Sequence, residues 1–325
     1  MSASRFSYTP AELNAVYSKL ENKLFNVRRD IDADGQPAPK ILVVAGVQGS
    51  GKTYMLNNHL LKDARYANFV RLYSEDLREL HPRYVEFANQ DVTRRYMHTE
   101  SFIWELCSLI FAHAHQNKYN IILETALDTK AFATLITGPE LADYQFDVHL
   151  IACKKDFVHL STVKRAFNAL ESGSLERFVD IATIEASIEN AEVILNAFET
   201  ACMRVSGSTI SMYERGFGAL KNRRMLCSSC CERINTLTPV VFTDESGATI
   251  TVKEQTHRIE RSEAFAQPCS YATFIALVEA PVTGEDRTHA WEEAYAALAR
   301  LRRFWKQIPP RLPDSLWGYI TRYAE

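Results

Sequence analysis

Between Pro10 and Phe25 the apolar residues Leu13, Val16, Leu20 and Leu24 recur at steps of three and four, which predicts an amphipathic helix that packs on the scaffold. The Asp-, Gly- and Pro-rich stretch from Asp30 to Pro39 reads as a linker. The pattern then changes to short, continuous apolar runs. Ile41 to Ala45 (ILVVA) has the β-branched character of a strand covered on both faces, and Phe69–Tyr73, Asn120–Glu124, Phe146–Ala152 and Thr209–Tyr213 are similar. Between them lie helical stripes: Phe102, Leu106, Leu109 and Ile110, then Phe157, Leu160, Val163 and Phe167, then Ile181, Ile184, Ile188, Ala191 and Leu195. Alternation of strand and helix predicts an α/β fold, with a parallel sheet of about five strands and helices on both faces.

Past about Leu220 the rhythm changes. A cysteine cluster is followed by VVFTDESGATITVKE, which reads as a hairpin turning at Asp244–Gly247. A helix is expected from about Arg287 to Trp305, with Trp291, Tyr295, Leu298, Leu301 and Trp305 as its packing residues. The chain therefore divides into an N-terminal helix and linker (1–38), an α/β domain (39–220) and an α+β extension (221–325) whose role the pattern does not disclose.

Chemistry enters at the end of the first strand. Gly46, Val47, Gln48, Gly49, Ser50, Gly51, Lys52 and Thr53 fit G-x-x-x-x-G-K-[ST], after a buried strand and before the helical stretch TYMLNNHLLKDA. The glycines let the backbone fold tightly so that successive N–H groups point at phosphate oxygens. Lys52 is expected to reach the β- and γ-phosphates of ATP, and the Thr53 hydroxyl to ligand Mg²⁺. No NKxD guanine reader follows, and IILETALD has a single acid at its strand end where a mechanical ATPase has paired acids. A small-molecule kinase remains.

Composition narrows the partners. The 37 basic and 40 acidic residues give a formal net charge of −3, so no global attraction to nucleic acid or an anionic membrane is expected. No apolar run approaches the roughly 20 residues needed to span a bilayer. Seven cysteines spread through the chain do not read as a disulfide framework, which fits a reducing, cytoplasmic setting. Cys227, Cys230 and Cys231, with His257 and Cys269, lack the second half of a zinc-type pairing and read as ordinary buried or free thiols. Lys221-Asn222-Arg223-Arg224 reads as a solvated strand exit.

Downstream of the loop, EDLRELHPRY resembles the D-x-x-R-x-x-H-P segment of the zeta toxin family of kinases. Ile121 to Ala126 (IILETA) resembles the family's strand ending in a Glu-Gly-Thr-like turn. KRAFNALESGSLERFV supplies two arginines, and TISMYERGFGAL resembles the closing strand with its Y-x-R-x-G end. The likeness covers roughly Pro39 to Leu220. It implies transfer of the γ-phosphate of ATP to the 3′-hydroxyl of a UDP-N-acetylamino sugar, typically UDP-N-acetylglucosamine. It further implies that Arg165 and Arg177 clamp the moving phosphoryl group, that Glu124 contacts the acceptor together with Thr125 and Asp128, and that Arg78 and His81 fall on the substrate side or serve local packing. A small helical antitoxin that occludes the ATP site is the partner commonly associated with such enzymes.

The sequence departs from the family at two points, one being the Glu-Gly-Thr-like turn, which here is Glu124-Thr125-Ala126 with Asp128 nearby. Counting back from His81-Pro82, the position of the catalytic Asp holds Glu75, with Asp76 beside it. Either Glu75 is the base, or a local shift brings Asp76 into place, or activity is impaired. An acceptor such as NAD, or an ATP-binding interaction protein that has lost transfer, are the alternatives.

Overall fold

The computed structural model describes residues 7–87, 92–174, 176–217, 223–243, 247 and 249–324. Helix α1 (Pro10–Leu24) starts with a capping box: the Glu12 amide donates to Thr9 Oγ1 at 3.2 Å, and the Thr9 amide donates to Glu12 Oε2 at 2.9 Å. Its Leu13 is buried, while Val16, Leu20 and Leu24 lean on the same core. Strand β1 (Lys40–Ala45) shows why a continuous apolar run means a doubly covered strand. Ile41, Val43 and Ala45 face the larger core, whereas Leu42 and Val44 face a second cluster with Met55, Leu56, Leu60, Tyr66, Ile122 and Ile151.

The other predicted strands are β2 (Phe69–Arg71), β3 (Asn120–Thr125), β4 (Gln145–Cys153) and β5 (Ser208–Arg215), and all five pair in parallel in the order β2-β3-β1-β4-β5. The helices between them are α2 (Lys52–Asn58), α3 (Val92–Gln116), α4 (Ala131–Thr137), α5 (Lys155–Ser172) and α6 (Ile181–Cys202). The predicted stripes are largely buried, with Leu109 and Ile181 partly so at their margins.

The sheet continues beyond these five strands. β6 (Arg223–Thr243) pairs antiparallel with β5 through its first half and, from Ser229 onward, with β7 (Thr249–Glu263), giving one seven-stranded sheet. The expected hairpin is present, but Asp244, Glu245 and Ser246 of its turn lie outside the described residues. Three helices follow: α7 (Tyr271–Val278), α8 (Glu285–Phe304) and α9 (Leu312–Tyr323). On α8 the packed face is one step away from the predicted one. Ala290, Ala294, Ala297 and Leu301 are buried, whereas Tyr295 and Trp305 are more than half exposed. Alanines at that spacing let α8 lie close on its neighbours, where Tyr and Trp would hold it off. α9 closes onto α5 through Asp156, which accepts from Arg322 Nη1 at 2.8 Å and from the Tyr323 hydroxyl, and through His159 Nδ1, 2.8 Å from the Tyr319 hydroxyl.

One expectation is overturned. Cys227 and Cys269 form a disulfide, with an S–S distance of 2.10 Å and a Cα–Cα distance of 5.4 Å. It joins β6 to the residues leading into α7, so the cysteine count no longer argues for a reducing compartment. Pairing across 42 residues of sequence depends on a tertiary approach that spacing does not encode. Cys230 and Cys231 are free thiols. Among the described residues no helix is long and apolar enough to cross a membrane.

Candidate active site

The phosphate loop lies at the C-terminal ends of β1 and its neighbour β3, the edge of a parallel α/β sheet where ligands bind. Its glycines are required by space as well as by backbone angle. At Gly49 (φ 93°) a Cβ would meet Thr162 Cγ2 at 2.6 Å and the Val158 carbonyl at 2.7 Å. At Gly46 it would meet the Ile151 carbonyl at 2.6 Å. Gly51 (φ 91°) turns the chain into α2. The loop is closed by the Gly46 amide on the Thr125 carbonyl at 3.2 Å and by the Ser50 amide on the Val47 carbonyl at 3.0 Å.

Lys52 folds over this loop. Its Nζ donates to the carbonyls of Gly46 at 2.7 Å and Val47 at 3.2 Å. Burial pulls its ammonium down to about 8. Glu124 and Asp128 oppose that shift, while the Arg165 guanidinium adds to it. Next along the chain, the Thr53 hydroxyl donates to Glu124 Oε2 at 3.3 Å. The other carboxylate oxygen of Glu124 is held by Arg71 Nη2 at 2.6 Å, and Arg71 Nη1 is fixed in turn by Asn57 Oδ1 at 3.1 Å. Thr125 is buried and its hydroxyl accepts from the Leu127 amide at 3.1 Å, bending the chain after β3. Leu127 is fully buried at φ 59°, a left-handed conformation that a leucine adopts only when its surroundings impose it. That bend presents Asp128 at the surface.

Arg165 on α5 and Arg177 in the segment after it reach the same place. Arg177 Nη2 donates to Gln48 Oε1 at 3.4 Å, and its guanidinium lies 4.9 Å from the centre of the Tyr96 ring. Arg165 is half exposed, paired with Glu176, and close enough to Lys52 to act on its charge. Lys52, Thr53, Glu124, Asp128, Arg165 and Arg177 thus surround one loop.

Arg78 and His81 are built into the fold. Arg78 is buried, with Nη1 donating to Thr99 Oγ1 at 2.8 Å, Nη2 to Glu100 Oε2 at 3.1 Å, and its guanidinium 3.8 Å from the centre of the Tyr96 ring. His81 is buried among Tyr8, Phe87 and Phe102, and its Nδ1 accepts from the Arg83 amide at 3.0 Å. Burial, reinforced by Arg83 and His98, lowers its imidazole to about 4, so it is neutral at physiological pH. Both occupy the packing role left open for them. Asp76 is exposed on a 3-10 helix, Glu75–Leu80, and the Glu75 side chain lies outside the described residues. Arg71 was not anticipated. The one signal for it was its place at the C-terminal end of a parallel strand.

A phosphate loop on the central strand of a β2-β3-β1-β4-β5 parallel sheet, with a lysine, a threonine and a facing carboxylate, defines a P-loop kinase fold. The family model for the zeta toxin matches residues 26–219, and the chain belongs to the zeta toxin family. No curated protein matches it. Among solved structures it is similar to one from the PezAT chromosomal toxin–antitoxin system of Streptococcus pneumoniae, at 16% identity and a TM-score of 0.55, over 92% of this chain and 99% of that one. It is also similar to the AvrRxo1-ORF1:AvrRxo1-ORF2 complex with sulphate ions, at 11% identity and a TM-score of 0.53, over 98% and 96% of the two chains. The native AvrRxo1-ORF1:-ORF2 complex gives 10% identity and a TM-score of 0.51, over 96% and 89%. At such identities the likeness is one of fold.

Proposed function

We propose that the protein is an ATP-dependent kinase that transfers the γ-phosphoryl group to a hydroxyl of a nucleotide sugar such as UDP-N-acetylglucosamine, and that it acts as a cytoplasmic toxin restrained by a small antitoxin. The observation that carries this reading is the convergence of Lys52, Thr53, Glu124, Arg165 and Arg177 on one phosphate loop. In the reaction the acceptor oxygen bonds to the γ-phosphorus as the bond to the departing ADP oxygen breaks, and the hydroxyl proton passes to a carboxylate, Glu75 or Asp76. Such transfer is catalysed by positioning and by charge stabilisation rather than by covalent chemistry of the protein. Lys52 binds the donor phosphates, and Arg165 and Arg177 neutralise charge on the moving group.

The Thr53 hydroxyl and the Glu124 carboxylate form an all-oxygen donor set suited to a hard cation such as Mg²⁺. When bound, Mg²⁺ neutralises charge on the donor phosphates. The Thr53 hydrogen bond supports a role for Glu124 on that side of the site, while the exposed Asp128 is left for the acceptor and the buried Thr125 shapes the turn that presents it. The test is direct. The purified protein, incubated with ATP·Mg²⁺ and a mixture of UDP-sugars and dinucleotides, is expected to yield one product heavier by a single phosphate. Lys52→Ala is expected to yield none, and unchanged turnover in that variant removes the proposal. A product from NAD rather than from a UDP-sugar moves the acceptor and leaves the donor half standing.

A further inference from the structure

Two arginines that have no carboxylate partner among the described residues lie against the phosphate loop. Arg215, the last residue of β5, is 7% exposed. Its Nη1 donates to the Gly49 carbonyl at 2.5 Å and its Nη2 to Ser161 Oγ at 3.0 Å, while its Nε is buried without an acceptor. Arg223, the first residue of β6, is its register partner across the antiparallel ladder. Arg223 Nη2 donates to the Gly51 carbonyl at 2.9 Å, and its guanidinium lies 5.0 Å from the centre of the Tyr54 ring. Its Nε and Nη1 are both buried without acceptors.

For stability alone this is a poor arrangement. Like charges directly opposite in a ladder repel, and buried donors without acceptors lose the hydrogen bonds that water would supply. Burial, together with the neighbouring Arg215, pushes the Arg223 guanidinium below its usual value. The loop supplies a reason to keep it. A loop that turns its amides toward an anion turns carbonyls away from it, and those carbonyls need donors. Arg215 and Arg223 meet that need at alternate residues, Gly49 and Gly51.

We propose that Arg215 and Arg223 are positioning residues for the phosphate donor: they hold the Gly49 and Gly51 carbonyls from outside the loop, and the donor's phosphates relieve the repulsion between their two charges. Arg223 lies beyond residues 26–219, the part matched by the family. The extension therefore supplies part of the donor site through the first residue of β6. The inference rests on the reading of ATP as donor.

Calorimetric titration with ATP·Mg²⁺ and thermal unfolding with and without it, on wild type, Arg223→Met and Arg223→Lys, test this. Without nucleotide, R223M is expected to melt no lower than wild type, because a buried repulsion is removed. Its Kd for ATP·Mg²⁺ is expected to rise about tenfold, with R223K in between, since lysine keeps the charge and loses the planar fork. In turnover the KM for ATP should rise while that for the acceptor stays. R223M that melts lower without nucleotide yet binds ATP as tightly as wild type makes Arg223 an ordinary brace and overturns the proposal. If R223M does not fold, R223K decides: wild-type affinity in R223K overturns it. Wild type that fails to bind ATP removes the donor reading and this inference together.

Discussion

Arg71 and Glu124 form an ion pair of 2.6 Å at the C-terminal edge of the sheet, with both side chains largely withdrawn from solvent. The pair fixes the carboxylate that faces Thr53, so it links β2 to the phosphate loop. In a double-mutant cycle of Arg71→Met and Glu124→Gln, a coupling of about 1 to 3 kcal/mol is expected from denaturant unfolding. A coupling near zero would mean that the two side chains merely lie side by side.

Lys52 sets a pH dependence. With its ammonium lowered to about 8, the free protein carries the charge below that pH and loses it as pH rises through it. Affinity for ATP·Mg²⁺ should therefore weaken on the alkaline side of about 8. Lys52→Arg stays charged throughout and should bind without that inflection. An inflection of the same size in the arginine variant assigns it to another group.

Gly49→Ala is expected to be far worse than Gly35→Ala. Both sites have a positive φ, but a Cβ at Gly35 meets nothing within 4 Å, whereas at Gly49 it collides with Thr162 and the Val158 carbonyl. Left-handed strain of about 1 kcal/mol or more applies to both. The excess seen at Gly49 in thermal unfolding, with loss of the shift induced by ATP, measures the collision alone. Equal losses at the two sites would show that α5 yields.

Asp147 ties the sheet to its second face. It accepts from the Tyr66 hydroxyl at 2.5 Å and from Thr209 Oγ1 at 2.7 Å, and lies 3.2 Å from His149 Nε2. Burial by itself would raise its carboxyl, but His149, Tyr66 and Thr209 together hold it well below the usual carboxylate range. A group lowered in the folded state contributes stability that is fully present above its ordinary value of 3.8 and is lost as pH falls toward the folded one. Asp147→Asn should therefore flatten the acid limb of the stability–pH curve. An unchanged limb would place the acid-sensitive group elsewhere.

The five parallel strands and the phosphate loop were legible because each is written locally, in a β-branched run such as Ile41–Ala45 or in glycines at fixed spacing before Lys52. Arg165 and Arg177 enter the proposed site only through an ordered resemblance. Arg71 escaped, since a lone arginine at a strand end carries no periodicity. Arg223, read as part of a solvated strand exit, instead turns its guanidinium inward onto the Gly51 carbonyl. In both cases the meaning depends on which carbonyl or carboxylate the fold brings to the side chain. The same holds for Cys227 and Cys269. On α8 the predicted stripe is offset rather than absent: Leu301 is buried and Trp291 and Leu298 lean on the core, while Tyr295 and Trp305 turn outward, because alanine buries a helix by permitting close approach and a stripe read for bulk passes over it.

β5 has two owners. One of its edges completes the parallel sheet with β4, and the other carries the first half of β6. A fragment cut at residue 219, where the family match ends, would leave the second edge as a row of unpaired amides and carbonyls, open to any passing strand. Such a fragment is expected to self-associate, which makes the added hairpin a guard against aggregation for the sheet it extends.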